Sequence, residues 1–80
     1  MIPVKICGIT SYYDAEMAIK FNASAIGLIF YKPSQRYVDP KLIFEWVQEL
    51  PVGVKKVGVF VNEKVEVVKS IADMLNLDFI

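Results

Sequence analysis

Histidine is missing from this 80-residue chain, and cysteine occurs once. Without histidine, neither a Ser-His-Asp nor a Cys-His nucleophilic site can be assembled from the chain. One cysteine cannot close an internal disulfide, and no Cys/His cluster offers a structural zinc site, so no metal is expected. A charge excess of either sign is also missing. Nine Lys plus Arg balance nine Asp plus Glu, giving a formal net charge of +0 and a pI near 6.2. A nucleic-acid domain would carry a basic excess, so no nucleic-acid partner is expected. No apolar run approaches the ~20 residues that span a bilayer, which argues against a membrane partner. The opening Met1-Ile2-Pro3-Val4-Lys5 has no basic segment leading into a long apolar stretch. A secretory leader is therefore not expected, and the cysteine usage suits a reducing, cytoplasmic setting. Neither G-x-G-x-x-G nor G-x-x-x-x-G-K occurs, so a dinucleotide or P-loop nucleotide site has no support.

Apolar residues, by contrast, are abundant: 55% of the chain is hydrophobic and 12% aromatic, with a mean hydropathy of +0.43. A disordered chain is poor in such residues. The length suits one small domain over residues 1–80, and a chain of this size buries roughly 60–65% of its unfolded surface. So high an apolar content means either a dense core or a part of something larger. Four short apolar runs stand out: Val4–Cys7, Ser24–Phe30, Lys56–Val61 and Leu77–Ile80. The middle two are β-branched and nearly continuous, as in strands covered by helices on one face and a core on the other.

Three helical patterns lie between the runs. Thr10 or Ser11 can cap the first, where Ser11-Tyr12-Tyr13-Asp14 resembles a capping box; Ala15, Ala18, Ile19 and Phe21 lie toward one side of it. Asp39-Pro40 starts the second with a carboxylate cap and a proline at the first helical position. Ile43, Trp46, Val47 and Leu50 follow at helical spacing, and Pro51 ends it. Asn62 can cap the third, in which Val65, Val68, Ala72 and Leu75 repeat near 3.6 residues, and Asn76 suits its C-terminal end. The order β-α-β-α-β-α-β implies parallel strands joined by right-handed crossovers. A (β/α)8 barrel and a doubly wound open sheet both accommodate it. The longest connection, Tyr31–Val38, follows the carboxyl end of the second strand, and binding residues gather at such ends in both architectures.

Cys7 ends the first strand. A free thiol titrates near pH 8.5, so a few per cent is thiolate at neutral pH, a form that serves as base or nucleophile. Strand alternation puts Lys5 on the same face, where an ammonium favours a thiolate. The same position also suits a small buried apolar residue, a common setting for cysteine. Arg36 is the sole arginine and sits in the long loop beside Ser34, Gln35 and Tyr37. A guanidinium there could grip a carboxylate or phosphate, or simply lie solvated at the surface. Gly8 can relax the backbone after the first strand, while Gly27 and Gly58, inside strand patterns, can admit a close neighbour. The aspartates Asp14, Asp39, Asp73 and Asp78 read as helix-start, cap and element-end residues. Trp46 reads as packing.

Lys5-Ile6-Cys7-Gly8-Ile9-Thr10 resembles the opening of phosphoribosylanthranilate isomerases. Ala25–Phe30, Ser34-Gln35-Arg36-Tyr37-Val38 and Lys56–Asn62 fit the same family in order, with Gln35 standing where many members have proline or lysine. The resemblance implies a (β/α)8 TIM barrel, here only its N-terminal β-α-β-α-β-α-β portion. It implies an enzyme of tryptophan, hence aromatic amino-acid, biosynthesis: an aldose–ketose isomerase of the intramolecular oxidoreductase type. The reaction is an Amadori rearrangement of N-(5-phosphoribosyl)anthranilate to the aminoketose, without a cofactor. In this family the cysteine matching Cys7 is the general base and the arginine matching Arg36 binds the anthranilate carboxylate. Lys5, Gly8 and Ser34 are candidates for support.

The family's general acid, an aspartate on a later strand, and its phosphate-binding loops have no counterpart in residues 1–80. The expected activity of the 80 residues alone is therefore negligible. Open sheet edges and an unfilled apolar face invite self-association or assembly with a complementary C-terminal fragment. A non-catalytic association or folding unit is the competing reading. A flavodoxin-like phosphate-ligand binder is a third, and it has no need of Cys7 or Arg36.

Overall fold

A computed structural model describes residues 3–80; Met1 and Ile2, the start of the segment read for a leader, lie outside the described residues. The strands are β1 (Lys5–Cys7), β2 (Ala25–Ile29) and β3 (Lys55–Val59), alternating with α1 (Tyr12–Lys20), α2 (Pro40–Gln48) and α3 (Val65–Leu75). The strands form one parallel sheet in the order β1-β2-β3. Each parallel step needs a helical crossover, which explains the strict alternation in the sequence. The fourth apolar run does not form a full strand. It makes one parallel bridge, Val57 to Phe79, at the outer edge of β3. Phe79 O accepts from Gly58 N–H at 2.9 Å, and the Asp78 carboxylate accepts from Lys56 N–H at 2.8 Å.

Local chemistry places the helices. Ser11, not Thr10, caps α1: its backbone is extended and its Oγ accepts from Asp14 N–H at 3.1 Å. Only half of the capping box forms, because the Asp14 carboxylate accepts from the Thr10 hydroxyl instead, at 3.2 Å. Asp39 caps α2 through Lys41 N–H at 2.9 Å, with Pro40 at the first position. This helix stops at Gln48, ahead of Pro51, with Glu49 as its C-cap. The Asn62 expectation fails. Asn62 adopts left-handed backbone (φ 51°) and turns the chain before α3, whose N-cap is Lys64 without a side-chain hydrogen bond. The residue type that suits a cap also tolerates φ > 0, and here the second property is used. Asn76 closes α3 in the left-handed conformation, as the sequence suggests.

The register divides the sheet residues between two faces. Ile6, Ile26 and Lys56 are in line, as are Leu28 and Gly58; the other face holds Lys5, Cys7, Ala25, Gly27, Ile29, Lys55, Val57 and Val59. Consecutive strand order with crossovers of one hand puts all three helices on one side. There Ile26 and Leu28 are 0% exposed and join a core with Ala15, Ala18, Ile43, Val47 and Leu75. Each buried Ile, Val or Leu among them contributes about 1.5–3 kcal/mol by leaving water. The opposite face is not covered by any described element: Lys5, Cys7 and Lys55 are exposed, and Ile29, Val57 and Val59 are half-buried. Helices cover one face, as the sequence suggests; the core expected on the other face is not formed among the described residues. Two helix-face readings also change. Phe21 is 74% exposed at the end of α1, and Val65, in the first turn of α3, is 64% exposed. Trp46 packs as expected, half-buried and edge-on to Tyr12 with ring centroids 6.3 Å apart.

Candidate active site

Cys7 is the last residue of β1, and the reason β1 stops there is Gly8. Gly8 has φ +83°, a left-handed conformation that L side chains rarely adopt. The chain turns away from β2 at this point, and the Gly27 carbonyl accepts both Gly8 N–H and Ile9 N–H at 3.1 Å. The same edge of β2 is free again two residues later, at Ile29. The long loop fills it: Val38 N–H donates to Ile29 O at 3.0 Å, and Tyr37 forms a parallel bridge with Ile29. Arg36 is thereby carried back over the end of β1.

The loop has its own local supports. Ser34 N–H donates to Tyr31 O at 2.9 Å and Tyr37 N–H to Ser34 O at 3.2 Å. Ser34 Oγ accepts from Arg36 N–H at 3.1 Å, so Ser34 shapes the turn that presents Arg36. The Arg36 stem lies against Gly8: a β-carbon at position 8 would sit 2.8 Å from Arg36 Cδ. Gly8 is thus required by its φ, and a side chain there would also push the Arg36 stem aside.

Cys7, Gly8 and Arg36 line one cleft of about 330 Å³, together with Asp14, Met17 and Phe21 from α1 and its end. Cys7 is an exposed free thiol among the described residues. Arg36 is exposed as well. Lys5 shares the Cys7 face of β1 but stands two residues back, roughly 6–7 Å along the strand, and does not line the cleft. A larger cavity of about 450 Å³ lies on the other side of the loop, against Tyr31, Tyr37, Val67 and Ile71; it contains neither Cys7 nor Arg36.

Among the cleft residues that sequence reasoning missed are Asp14, Phe21 and Met17. Asp14 reads as a helix-start residue and does serve the start of α1, yet it also lines the cleft. Phe21 reads as part of the buried helix face. Its one usable signal is that a bulky apolar residue directly after the last helical turn has no helical neighbour to pack on. Met17 carries no signal separable from its helical spacing.

The arrangement offers a thiol and a guanidinium at the carboxyl ends of adjacent parallel strands, on a wall open to solvent. A thiolate can accept a proton, and a guanidinium can hold an anionic group by a planar fork. Among the described residues, no helix is long and apolar enough to cross a membrane.

The sequence model of the family described as N-(5'phosphoribosyl)anthranilate (PRA) isomerase matches residues 4–80. An N-(5'-phosphoribosyl)anthranilate isomerase of Bacillus cereus is 50% identical over 74 residues, covering 92% of this chain and 36% of the relative. The crystal structure of the Thermotoga maritima phosphoribosyl anthranilate isomerase superposes with a TM-score of 0.93 at 42% identity, over 98% of this chain and 38% of that one. A phosphoribosyl anthranilate isomerase crystallised with reduced 1-(o-carboxyphenylamino)-1-deoxyribulose 5-phosphate also gives 0.93 at 42% identity, over 98% and 40%. The chain thus spans well under half the length of these relatives, and its three βα units are part of a (β/α)8 barrel. With the family model matching almost every residue, and the fold superposing on solved members, the chain belongs to the phosphoribosylanthranilate isomerase family.

Proposed function

We propose that this chain supplies the base and the carboxylate anchor of a phosphoribosylanthranilate isomerase acting in tryptophan biosynthesis in the cytoplasm. The substrate is N-(5-phosphoribosyl)anthranilate, and the reaction is an aldose–ketose isomerisation of the intramolecular oxidoreductase type. The observation that supports this most is the shared cleft of Cys7 and Arg36, built by the turn at Gly8 and the returning loop. In the proposed mechanism, opening of the furanose ring gives a protonated imine, which acidifies the C2′ hydrogen. The Cys7 thiolate removes that proton to leave a C1′=C2′ enolamine, which gives the aminoketose as its 2′-hydroxyl loses a proton and C1′ gains one. Arg36 holds the anthranilate carboxylate so that C2′ faces the sulfur. Ser34 and Gly8 position Arg36; Lys5 adds positive charge on the Cys7 face. No metal or organic cofactor enters this scheme.

The general acid for the ring oxygen and the groups that hold the phosphate belong, in this proposal, to the remaining βα units of the barrel. The 80 residues alone are then expected to show no turnover of the substrate, while a chain completed to family length turns it over. Steady turnover by the purified 80-residue chain would sink the division of labour proposed here.

A second reading has its own observation. The sheet face carrying Cys7, Ile29, Val57 and Val59 is uncovered, and β1 presents an unpaired edge with Val4 and Ile6 exposed. As a non-catalytic association unit, the chain would pair through these surfaces with a second copy or with a complementary C-terminal fragment. Sedimentation with an apolar dye tests this reading: association with dye binding fits it, and a dye-silent monomer contradicts it.

A further inference from the structure

We infer that Gly27 is a positioning residue for the Cys7 thiol: its missing side chain is the slot that fixes where the sulfur sits. Gly27 occupies the middle of the central strand, flanked by the fully buried Ile26 and Leu28. Glycine weakens a strand interior, so its presence there needs a reason. Backbone conformation is not the reason, because Gly8 is the only glycine with positive φ among the described residues. Space is. A β-carbon on Gly27 would lie 2.7 Å from Cys7 Sγ, and 3.1 Å from both Cys7 Cα and Cβ.

Gly27 also holds the residues that follow the cysteine. Its carbonyl accepts from Gly8 N–H and Ile9 N–H, both at 3.1 Å. One residue therefore sets Cys7 from two directions. Its α-carbon leaves room for the thiol on the open face, and its carbonyl pins the turn that begins immediately after the thiol. Orientation of the sulfur comes from shape. Side chains occupy discrete rotamers, so a methyl group in the slot displaces the thiol from its present one, and its 3.1 Å approach to Cys7 Cα and Cβ also presses the two strands apart. A proton acceptor must stand within hydrogen-bond reach of the hydrogen it takes, so the choice of rotamer governs whether Cys7 can act. That last consequence rests on the reading of Cys7 as the base; the geometric statement does not.

Cys7 is the only cysteine, so thiol measurements report it alone. In the unmodified chain, the Cys7 Hα–Hβ couplings are expected to show one χ1 rotamer; rotamer-averaged couplings would overturn the proposal. In Gly27→Ala, the couplings and the Cys7 Cβ shift are expected to move to a different pattern. The midpoint of the pH profile for iodoacetamide alkylation is expected to shift with them. A folded variant with unchanged couplings and an unchanged profile would also overturn it. Should Gly27→Ala not fold, the couplings of the unmodified chain decide alone. Turnover by a Cys7→Ala variant of a family-length chain is read separately. A wrong base and a wrong positioning residue therefore leave different signatures.

Discussion

The two faces of the three-stranded sheet share a backbone and differ in almost everything else. On the helix side, Ile26 and Leu28 are sealed by Ala15, Ala18, Ile43, Val47 and Leu75. On the other side, register neighbours of the same strands are Lys5, Cys7 and Lys55, all exposed, with half-buried valines beside them. One face contributes stability through apolar burial, which is insensitive to direction. The other carries the groups whose chemistry depends on direction and on access to solvent. Because side chains alternate along a strand, a single residue step separates the two tasks: Ile6 points to the helices and Cys7 to the open side. Substitutions on one face should therefore move stability and leave chemistry, and on the other do the reverse.

The largest effect expected is on the open face. In a family-length chain, Cys7→Ala should lower kcat by about 10²- to 10⁴-fold, the range for a positioned base. The urea midpoint of the 80-residue chain should move little. Steady-state kinetics and equilibrium unfolding check both halves, and intact turnover would break the comparison at its centre. On the helix face, Leu28→Ala should cost about 2–5 kcal/mol of stability, as for other buried leucines, measured by denaturant unfolding. A loss well below that range would mean the helix side is packed no better than the open one.

Arg36→Met is intermediate. It removes a charge-assisted hydrogen bond to the proposed carboxylate, of about 1.5–3 kcal/mol, so KM should rise roughly ten- to a hundredfold while kcat changes less. Equal loss in kcat with unchanged KM would move Arg36 from anchoring to the chemical step. The smallest effect sharpens the contrast most. Val59→Thr, on the open face, should stay within about 0.5 kcal/mol in the 80-residue chain, since its side chain is not sealed against another element. A loss comparable to that of Leu28→Ala would show that something covers this face in solution.

Much of the fold was legible because it depends on residues close in sequence. The Asp39-Pro40 start of α2 and the Asn76 end of α3 are one-residue devices with one physical reading each, and both act as read. Asn62 reads as a cap, and that reading fails because the chain uses the residue's tolerance of left-handed backbone instead, a choice that no neighbouring residue marks. Phe21 follows the helical pattern yet lies past the last turn of α1, where no neighbour covers it. Cys7 and Arg36 stood out as candidates from residue type and placement, and their roles came from the family resemblance. Their meeting in one cleft, and the presence of Asp14 there, were not readable from spacing.

What the sequence determined by itself is the alternation of the three strands and three helices, the Asp39-Pro40 start of α2, the Asn76 end of α3, and most of the apolar set that seals one face. Those follow from propensity, periodicity and capping, all of which act within a few residues. What only the tertiary structure decided is which distant residues face one another. The turn at Gly8 frees an edge of β2, Tyr37 and Val38 return to occupy it, and Arg36 comes to rest above Gly8. That encounter is a matter of hydrogen bonds left open on a strand edge and later filled, and no local pattern along the chain records it.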